Sequence, residues 1–570
     1  MKPLQYVTSL VLILLSFLAE GQTLDSKIKS LDSLISKDQA AVALKMLKEV
    51  LSEAVKNKQP EVIPDYLEVY GRALLEIHAY PVAIQMMDDL ILGWEKQMPA
   101  PIYQKDLWMT AANWYEYLGD TESAYQFELK AFDAAIKSQG VVSDKEKGKI
   151  KMNLGSYSIN RMDLESAKMH LHEALDFLLK DPDPESVYLT NSYLGNLSYF
   201  SSKLDSAEYY YEQCLEAISL LNQTPRNKYY RTALIYNNLS GVQSASGHMS
   251  QAIQSMEKVL SNLVFYQDSL SDPAEKNKTL EFYLQAVDNL GGIYKELGNF
   301  QKAKNLLEYA HSKKLSSFGL ANKEVINSKI LLGQLYYEMF EMEDARAILQ
   351  TGLDGLKQIA GNRDFWEADG WNALARVEDY EGNDELALTY YQRADALYQN
   401  VLGGDFDLVY LEFLINYSKF LAENRNQSLA ESTASKAYQY LKTIGNGTSL
   451  QLFDQSLSMA DVSFISGNYR KAQNLSIEAL QILKMQLVDQ TERLDSIRVN
   501  LKKPQAILLK VKSQYYLETE RSPAFLKSLV SELDEGVEFL ERRKTFLESE
   551  DDVNLLIQDN TDYFDFLKQL

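Results

Sequence analysis

Along most of this chain apolar residues recur three and four positions apart, and each such run is soon followed by another. In "DNLGGIYKELGNFQKAKNLLEYA", Asp288 to Ala310, Leu290, Ile293, Tyr294 and Leu297 share one helical face, and Leu306 and Leu307 belong to a second run. Small residues interrupt these stripes at Gly291, Ala303 and Ala310, and Gly298 stands between the runs. The pattern predicts two antiparallel helices and a tight turn, with a glycine free to take the positive φ that ends a helix. Small side chains let the two axes approach closely, and the area given up is regained only by stacking one pair on the next.

The unit recurs along the chain. Counted from anchors Gly71, Ala112, Gly155, Gly195, Ser240, Gly291, Gly333, Ala375, Ser418 and Ala460, the residue twelve places on is alanine every time, from Ala83 to Ala472. Nineteen places on stand Leu90, Ala131, Ala174, Cys214, Val259, Ala310, Gly352, Ala394, Ala437 and Ala479, most of them small. Seven places on, where the turn must fall, Gly119, Gly247, Gly298, Gly382 and Gly467 appear. Intervals between anchors run from 40 to 51 residues, and the longest holds "YQDSLSDPAEKNKT", expected as an exposed loop before a helix near Leu280. A degenerate first pair is expected between Leu24 and Val55, with Leu31 in the anchor column and Ala43 in the alanine column.

These segments resemble the tetratricopeptide repeat. Leu290, Gly291, Tyr294, Gly298, Phe300, Ala303, Leu307 and Ala310 stand on that family's signature positions, and "TAANWYEYLGDTESAYQFELKAF", "LSGVQSASGHMSQAIQSMEKVL" and "ADVSFISGNYRKAQNLSIEAL" are similar. Intervals near 42 residues, against ~34 for the usual unit, resemble the longer-repeat subfamily. The resemblance implies an all-α fold, a right-handed superhelical solenoid of antiparallel helix pairs with a concave groove lined by the first helix of each pair. The family's groove offsets select Asn113, Glu116, Asn196, Tyr199, Asn237, Asp288, Tyr337, Asn372, Asp379 and Tyr380 as candidate binding residues. The same offsets add acidic Asp65, Glu68, Glu76, Asp106, Glu296, Glu338, Asp369, Glu412, Glu423, Asp454 and Asp461 against basic Arg72, Lys149, Lys295, Arg376 and Lys419. A protein or peptide ligand of basic or neutral character is therefore implied, its backbone held by the amides. Met109 and Ser192 stand where a groove for terminal carboxylates would place lysine, so chaperone-tail recognition is not expected.

Length and composition narrow the class. The chain has 570 residues, 46% hydrophobic and 24% charged, enough for ample core and too long for one compact domain. Lys2 precedes a mostly apolar run from Leu10 to Leu18, then Ala19 and Gly21, which reads as a secretory signal cleaved after Gly21; a retained membrane anchor is the alternative. The expected mature protein is exported, periplasmic or secreted, without an integral membrane span. Cys214 is the single cysteine, so no intramolecular disulfide is possible. A formal net charge of −22 argues against nucleic acid as partner and favours solubility.

No constellation for chemistry emerges. Cys214 falls in a packing column, His170 and His172 point to different sides of a helix, and HExxH, CxxC, GxxxxGK[ST] and GxSxG are all missing. "IGNGTSL", Ile444 to Leu450, reads as a loop between pairs. No enzyme activity, metal or cofactor is expected. Of the 36 tyrosines most should fill space between repeats.

Beyond Ala479 the pattern loosens into long helices with a further pair turning near Thr519 to Pro523. Ser549 is a candidate N-cap, with Glu550, Asp551 and Asp552 suited to the helix dipole. The residues after it, Val553, Leu555, Leu556, Ile557, Phe564, Phe566 and Leu567, are expected to form an apolar helix that wants a docking partner. Pro504 to Leu570 resembles the helical segment ahead of the caspase-like CHAT peptidase domain, whose His and Cys would fall after Leu570, so no catalytic residue is carried over. The organisation expected is a signal peptide at 1–21, an array of about ten to eleven helix pairs at 22–480, and a long-helix region at 481–570. The leading expectation is an exported, non-enzymatic binding scaffold; the recognition half of a CHAT peptidase system and an envelope signalling sensor are the alternatives.

Overall fold

A computed structural model describes residues 31, 35, 40–47, 63–78, 80–96, 100–138, 140–359, 364–404, 406–444, 450–486 and 493–570. The expected signal peptide, most of the degenerate first pair and the loop at 445–449 lie outside the described residues. Leu31 and Ala43 are described, and both are fully buried in helix.

The chain divides into two compact units, Met1–Leu194 and Gly195–Leu570. Helices run in order as α1 Ile63–Ile77, α2 Tyr80–Glu95, α3 Pro101–Tyr117, α4 Thr121–Lys137, α5 Asp144–Asn160, α6 Leu164–Leu178 and α7 Pro184–Phe200, inside which the boundary falls. The second unit continues with α8 Leu204–Leu220, a π-helical stretch Arg226–Arg231, α9 Thr232–Ser246, α10 Met249–Ser269, α11 Pro273–Glu296, α12 Phe300–Phe318, α13 Lys323–Glu338 and α14 Met342–Leu356. Then come α15 Asp364–Tyr380, α16 Asp384–Leu402, α17 Leu408–Glu423, α18 Gln427–Ile444, α19 Leu450–Ile465 and α20 Tyr469–Gln486. A tail of α21 Arg493–Val499, α22 Lys503–Leu517, α23 Pro523–Lys544, α24 Glu550–Asp559 and α25 Thr561–Gln569 completes it. Every assigned element among the described residues is helical, and consecutive helices pack as antiparallel pairs.

The packing explains the small-residue columns. All ten alanines twelve places after the anchors are completely buried. A Cβ added at Gly155 would stand 2.5 Å from Leu171, at Gly195 2.6 Å from Tyr211, and at Gly291 2.9 Å from Leu307; at Gly333 it would collide with Leu349. Each of these partners lies sixteen places after its anchor, so a large side chain of the second helix fills the hollow that the glycine leaves in the first. Gly333→Ala should therefore cost about 1–3 kcal/mol, the usual penalty of overpacking. Adding Leu349→Ala should return part of that loss in a double-mutant cycle by urea denaturation, whereas strict additivity would mean the two side chains do not meet.

The turns follow one rule. Gly119, Gly247, Gly298, Gly382 and Gly467 all have positive φ, and so do Met162, Ser202, Phe340 and Arg425, which occupy the same place in the units that lack the glycine. The closing bonds repeat as well, as in Gly298 N to Lys295 O and Asn299 N to Tyr294 O, both 2.9 Å.

Two expectations are corrected. The insertion after Tyr266 is mostly helix: α10 runs to Ser269 and α11 starts at Pro273, because Asp272 caps the new helix by accepting from Ala274 N at 3.2 Å and proline suits the first helical position. The C-terminal apolar stretch breaks at Asn560 into two helices, and the chain itself covers it: Leu556, Tyr563 and Phe566 are buried, the last two in a cluster with Ile507, Val511, Leu529 and Leu533. Ser549 does cap α24, accepting from Asp551 N at 3.1 Å.

Candidate functional site

In the first unit Asn113 and Glu116 lie one turn apart on α3, both exposed, and Glu116 accepts a hydrogen bond from the Tyr157 hydroxyl at 3.1 Å. The remaining candidates belong to the second unit. Asn196 Oδ1 accepts from the Tyr211 hydroxyl at 2.7 Å and Asn237 Oδ1 from Asn289 Nδ2 at 2.9 Å, whereas Asn372 Oδ1 is enclosed and accepts from no described residue. Tyr199 is half-buried, and burial, with Glu296 and Asp407 adding to it, pushes its phenol up to about 12. Tyr380 is 53% exposed, its ring centroid 5.6 Å from that of Phe340.

Asp288 is placed otherwise. It is 3% exposed and bound to Lys314 Nζ at 2.5 Å, with Glu324 3.4 Å from the same ammonium. Its carboxylate belongs to the packing between α11, α12 and α13 and is withdrawn from any open face.

Tyr337 and Asp379 belong to a charged surface that spans several repeats. The Arg376 guanidinium lies 4.1 Å over the Tyr337 ring and reaches Glu338 at 2.8 Å. Burial works against the Glu338 carboxylate, but Arg376 and then Lys295 hold it below the ordinary range. Asp379 is pushed up to about 6, by burial first and then by Glu423. Asp369 is pushed up to about 7 by burial, with Asp407 and Glu412 adding to the shift although the Tyr398 hydroxyl donates to it. Asp461 is raised by burial against the pull of Lys419, which itself stands 3.9 Å from Glu423. Glu412 and Lys419 nevertheless remain exposed to solvent. The result is a wet, protein-flanked face on α13, α15, α17 and α19 where carboxylates outnumber cations, an arrangement that favours a cationic guest.

One further acid carries no signal in the sequence. Burial raises the carboxyl of Asp559, at the end of α24, against the pull of Arg543 and with Glu338 adding to the shift. Only the return of the chain brings these residues together. Cys214 is buried, and burial pushes its thiol up, away from the nucleophilic thiolate. Among the described residues there is no cluster of His, Cys, Asp and Glu that could hold a metal ion, and no helix long and apolar enough to cross a membrane.

No family model and no curated protein matches the sequence. Solved structures resemble the fold at low identity. A Rap protein complexed with competence and sporulation factor has 12% identity and a TM-score of 0.42, over 69% of this chain and 99% of that one. The apo form of RapI has 13% identity and a TM-score of 0.41, over 67% and 97%. BtubC from P. vanneervenii has 20% identity and a TM-score of 0.31, over 43% and 93%. The packing within this chain, glycine and alanine columns at the close approaches and a left-handed residue at the turns, makes it an all-helical repeat protein of stacked antiparallel helix pairs, the fold that the tetratricopeptide resemblance implies.

Proposed function

We propose that this protein is an exported, non-enzymatic scaffold that holds a basic peptide segment of a partner protein against the charged face of the second unit. The observation that carries this reading is the group Asp369, Asp379, Glu423 and Asp461, carboxylates raised by burial and facing too few cations. A guest bearing lysine or arginine would supply the missing charge and favour their ionised forms. Export is supported by Lys2 and the apolar run from Leu10 to Leu18.

The test is binding of a fluorescent oligolysine peptide, with oligoglutamate as control. Oligolysine should bind and weaken as salt rises, and Asp379→Asn with Asp461→Asn should weaken it by about tenfold, near 1.4 kcal/mol. The pH dependence has a definite sign. Asp379 and Asp369 ionise near 6 and 7, so affinity should climb from pH 5 to 8 as they gain charge. Equal affinity for the two peptides, or no response to pH and salt, overturns the reading.

A further inference from the structure

Two acids selected by the groove offsets, Glu296 and Asp454, differ from the other carboxylates of the second unit because each already has a cation supplied by the tail. Arg498 Nε lies 3.6 Å from Glu296 on α11, and Lys502 Nζ lies 2.9 Å from Asp454 on α19. Asp461 follows Asp454 by seven residues on the same helix, which puts both acids on one side of α19, about 10 Å apart. Burial works against the Glu338 carboxylate on α13, and Lys502 joins Arg376 and Lys295 in lowering it. The two tail cations therefore stand at the edge of the charged face.

The stretch that carries them is a fixture of the fold. Val499 is buried and, with Ala506 and Leu509, belongs to the same hydrophobic core as α17 to α20. Asp495 caps α10 from far along the chain, accepting from Ser250 N at 2.8 Å, and Asp552 does the same for α12, accepting from Gln301 N at 3.1 Å, across 245 and 251 residues. Such carboxylates satisfy otherwise orphaned N–H groups and sit favourably on the helix dipole. Held in this way, Arg498 and Lys502 are permanent partners of Glu296 and Asp454.

We propose that Arg498 and Lys502 set the border of the site for a basic guest: they neutralise Glu296 and Asp454, repel further cations there, and confine the guest to the stretch that holds Asp369, Asp379, Glu423 and Asp461. That stretch belongs to α15, α17 and α19, the first helices of successive pairs, whose axes at ~10 Å intervals span about 20 Å, the reach of about six extended residues. The guest is accordingly a short basic segment, and a longer run of cations meets Arg498 and Lys502 at its end. The inference rests on the proposed function for the location of the face.

The test measures binding of fluorescent hexalysine and dodecalysine to the full chain at low salt. Arg498→Gln with Lys502→Gln frees two acids, and should tighten dodecalysine by about tenfold but hexalysine by less than about threefold, because six residues already fill the open stretch. The gain should fade as salt rises. Lys502→Gln alone, at a half-buried side chain, should tighten dodecalysine by about threefold, a result independent of whether the double variant folds. Lys502→Arg keeps the charge and should bind both peptides as the wild type does. A folded Lys502→Gln protein indistinguishable from wild type would overturn the border and leave the proposed function standing. Binding of dodecalysine by the double variant and of neither peptide by the wild type would do the reverse. Equal gains for the two peptides would also overturn the border, and no binding by any of the proteins would overturn both.

Discussion

Lys314→Ala should destabilise the second unit by about 3–5 kcal/mol, the cost of stripping one partner from a buried ion pair. Lys314 is completely buried on α12, and its ammonium serves Asp288 at 2.5 Å and Glu324 at 3.4 Å, both also buried. Even with that cation in place, burial raises Asp288 to about 6, and Asp288 Oδ1 accepts no hydrogen bond from a described residue. Without it, two carboxylates share an enclosed site and must take up protons or open the packing. The damage should accordingly shrink in acid. A carboxyl raised on folding contributes stability below its unfolded pKa, and this is lost as pH climbs through the folded one. Lys314→Met combined with Asp288→Asn and Glu324→Gln should recover most of the loss, because no lone charge is left behind. Urea denaturation at pH 7 and pH 5 measures all of this; a single-variant loss under about 1 kcal/mol at pH 7 would mean the pair is not buried as described.

The second large effect has the opposite sign: Glu128→Gln should stabilise the first unit by about 3 kcal/mol at pH 7. Glu128 on α4 is completely buried, and no cation is among the groups that shift it. Asn153 Nδ2 donates to one oxygen at 2.9 Å, and the other oxygen has no partner among the described residues. Burial lifts the carboxyl from 4.5 to about 8, with Glu116 adding to the shift and Asn153 opposing it. Because the folded pKa lies above the unfolded one, wild-type stability is complete below about pH 4.5 and falls as pH rises toward 8. Glutamine keeps the shape and removes the titration. The variant should therefore lose most of that slope, read as slower amide exchange in α4 and α5 at pH 8 and little change at pH 4. An unchanged slope would place the proton linkage elsewhere.

Legibility differed between fold and site for physical reasons. The columns at Gly291, Ala303 and Ala310 could be read because they meet inside one helix pair, where local spacing governs contact. The turn rule was only half legible: five units advertise it with glycine, while Met162, Ser202, Phe340 and Arg425 adopt the same backbone because the hairpin around them imposes it. The insertion misled because Asp272 and Pro273 look like loop residues but serve as a cap and first turn. Among the groove candidates, Tyr337 and Asp379 lie on the charged face beside Arg376 and Glu423, whereas Asp288 is enclosed with Lys314. Its partner Lys314 lies twenty-six residues on, a spacing with no helical or repeat meaning.

By itself the sequence determined what depends on neighbours: the helices, their pairing, the tight turns and the acidic balance of their faces. Such features follow from side-chain size and backbone freedom within some forty residues, a range over which chain geometry leaves little choice. The tertiary structure alone decided which carboxylates are buried with a cation, which remain wet, and that Asp495 and Asp552 cap helices about 250 residues away. Each repeat adds a small rotation to the last, and those rotations accumulate until distant turns meet. That sum is set by every interface along the way, and so by no single stretch of sequence.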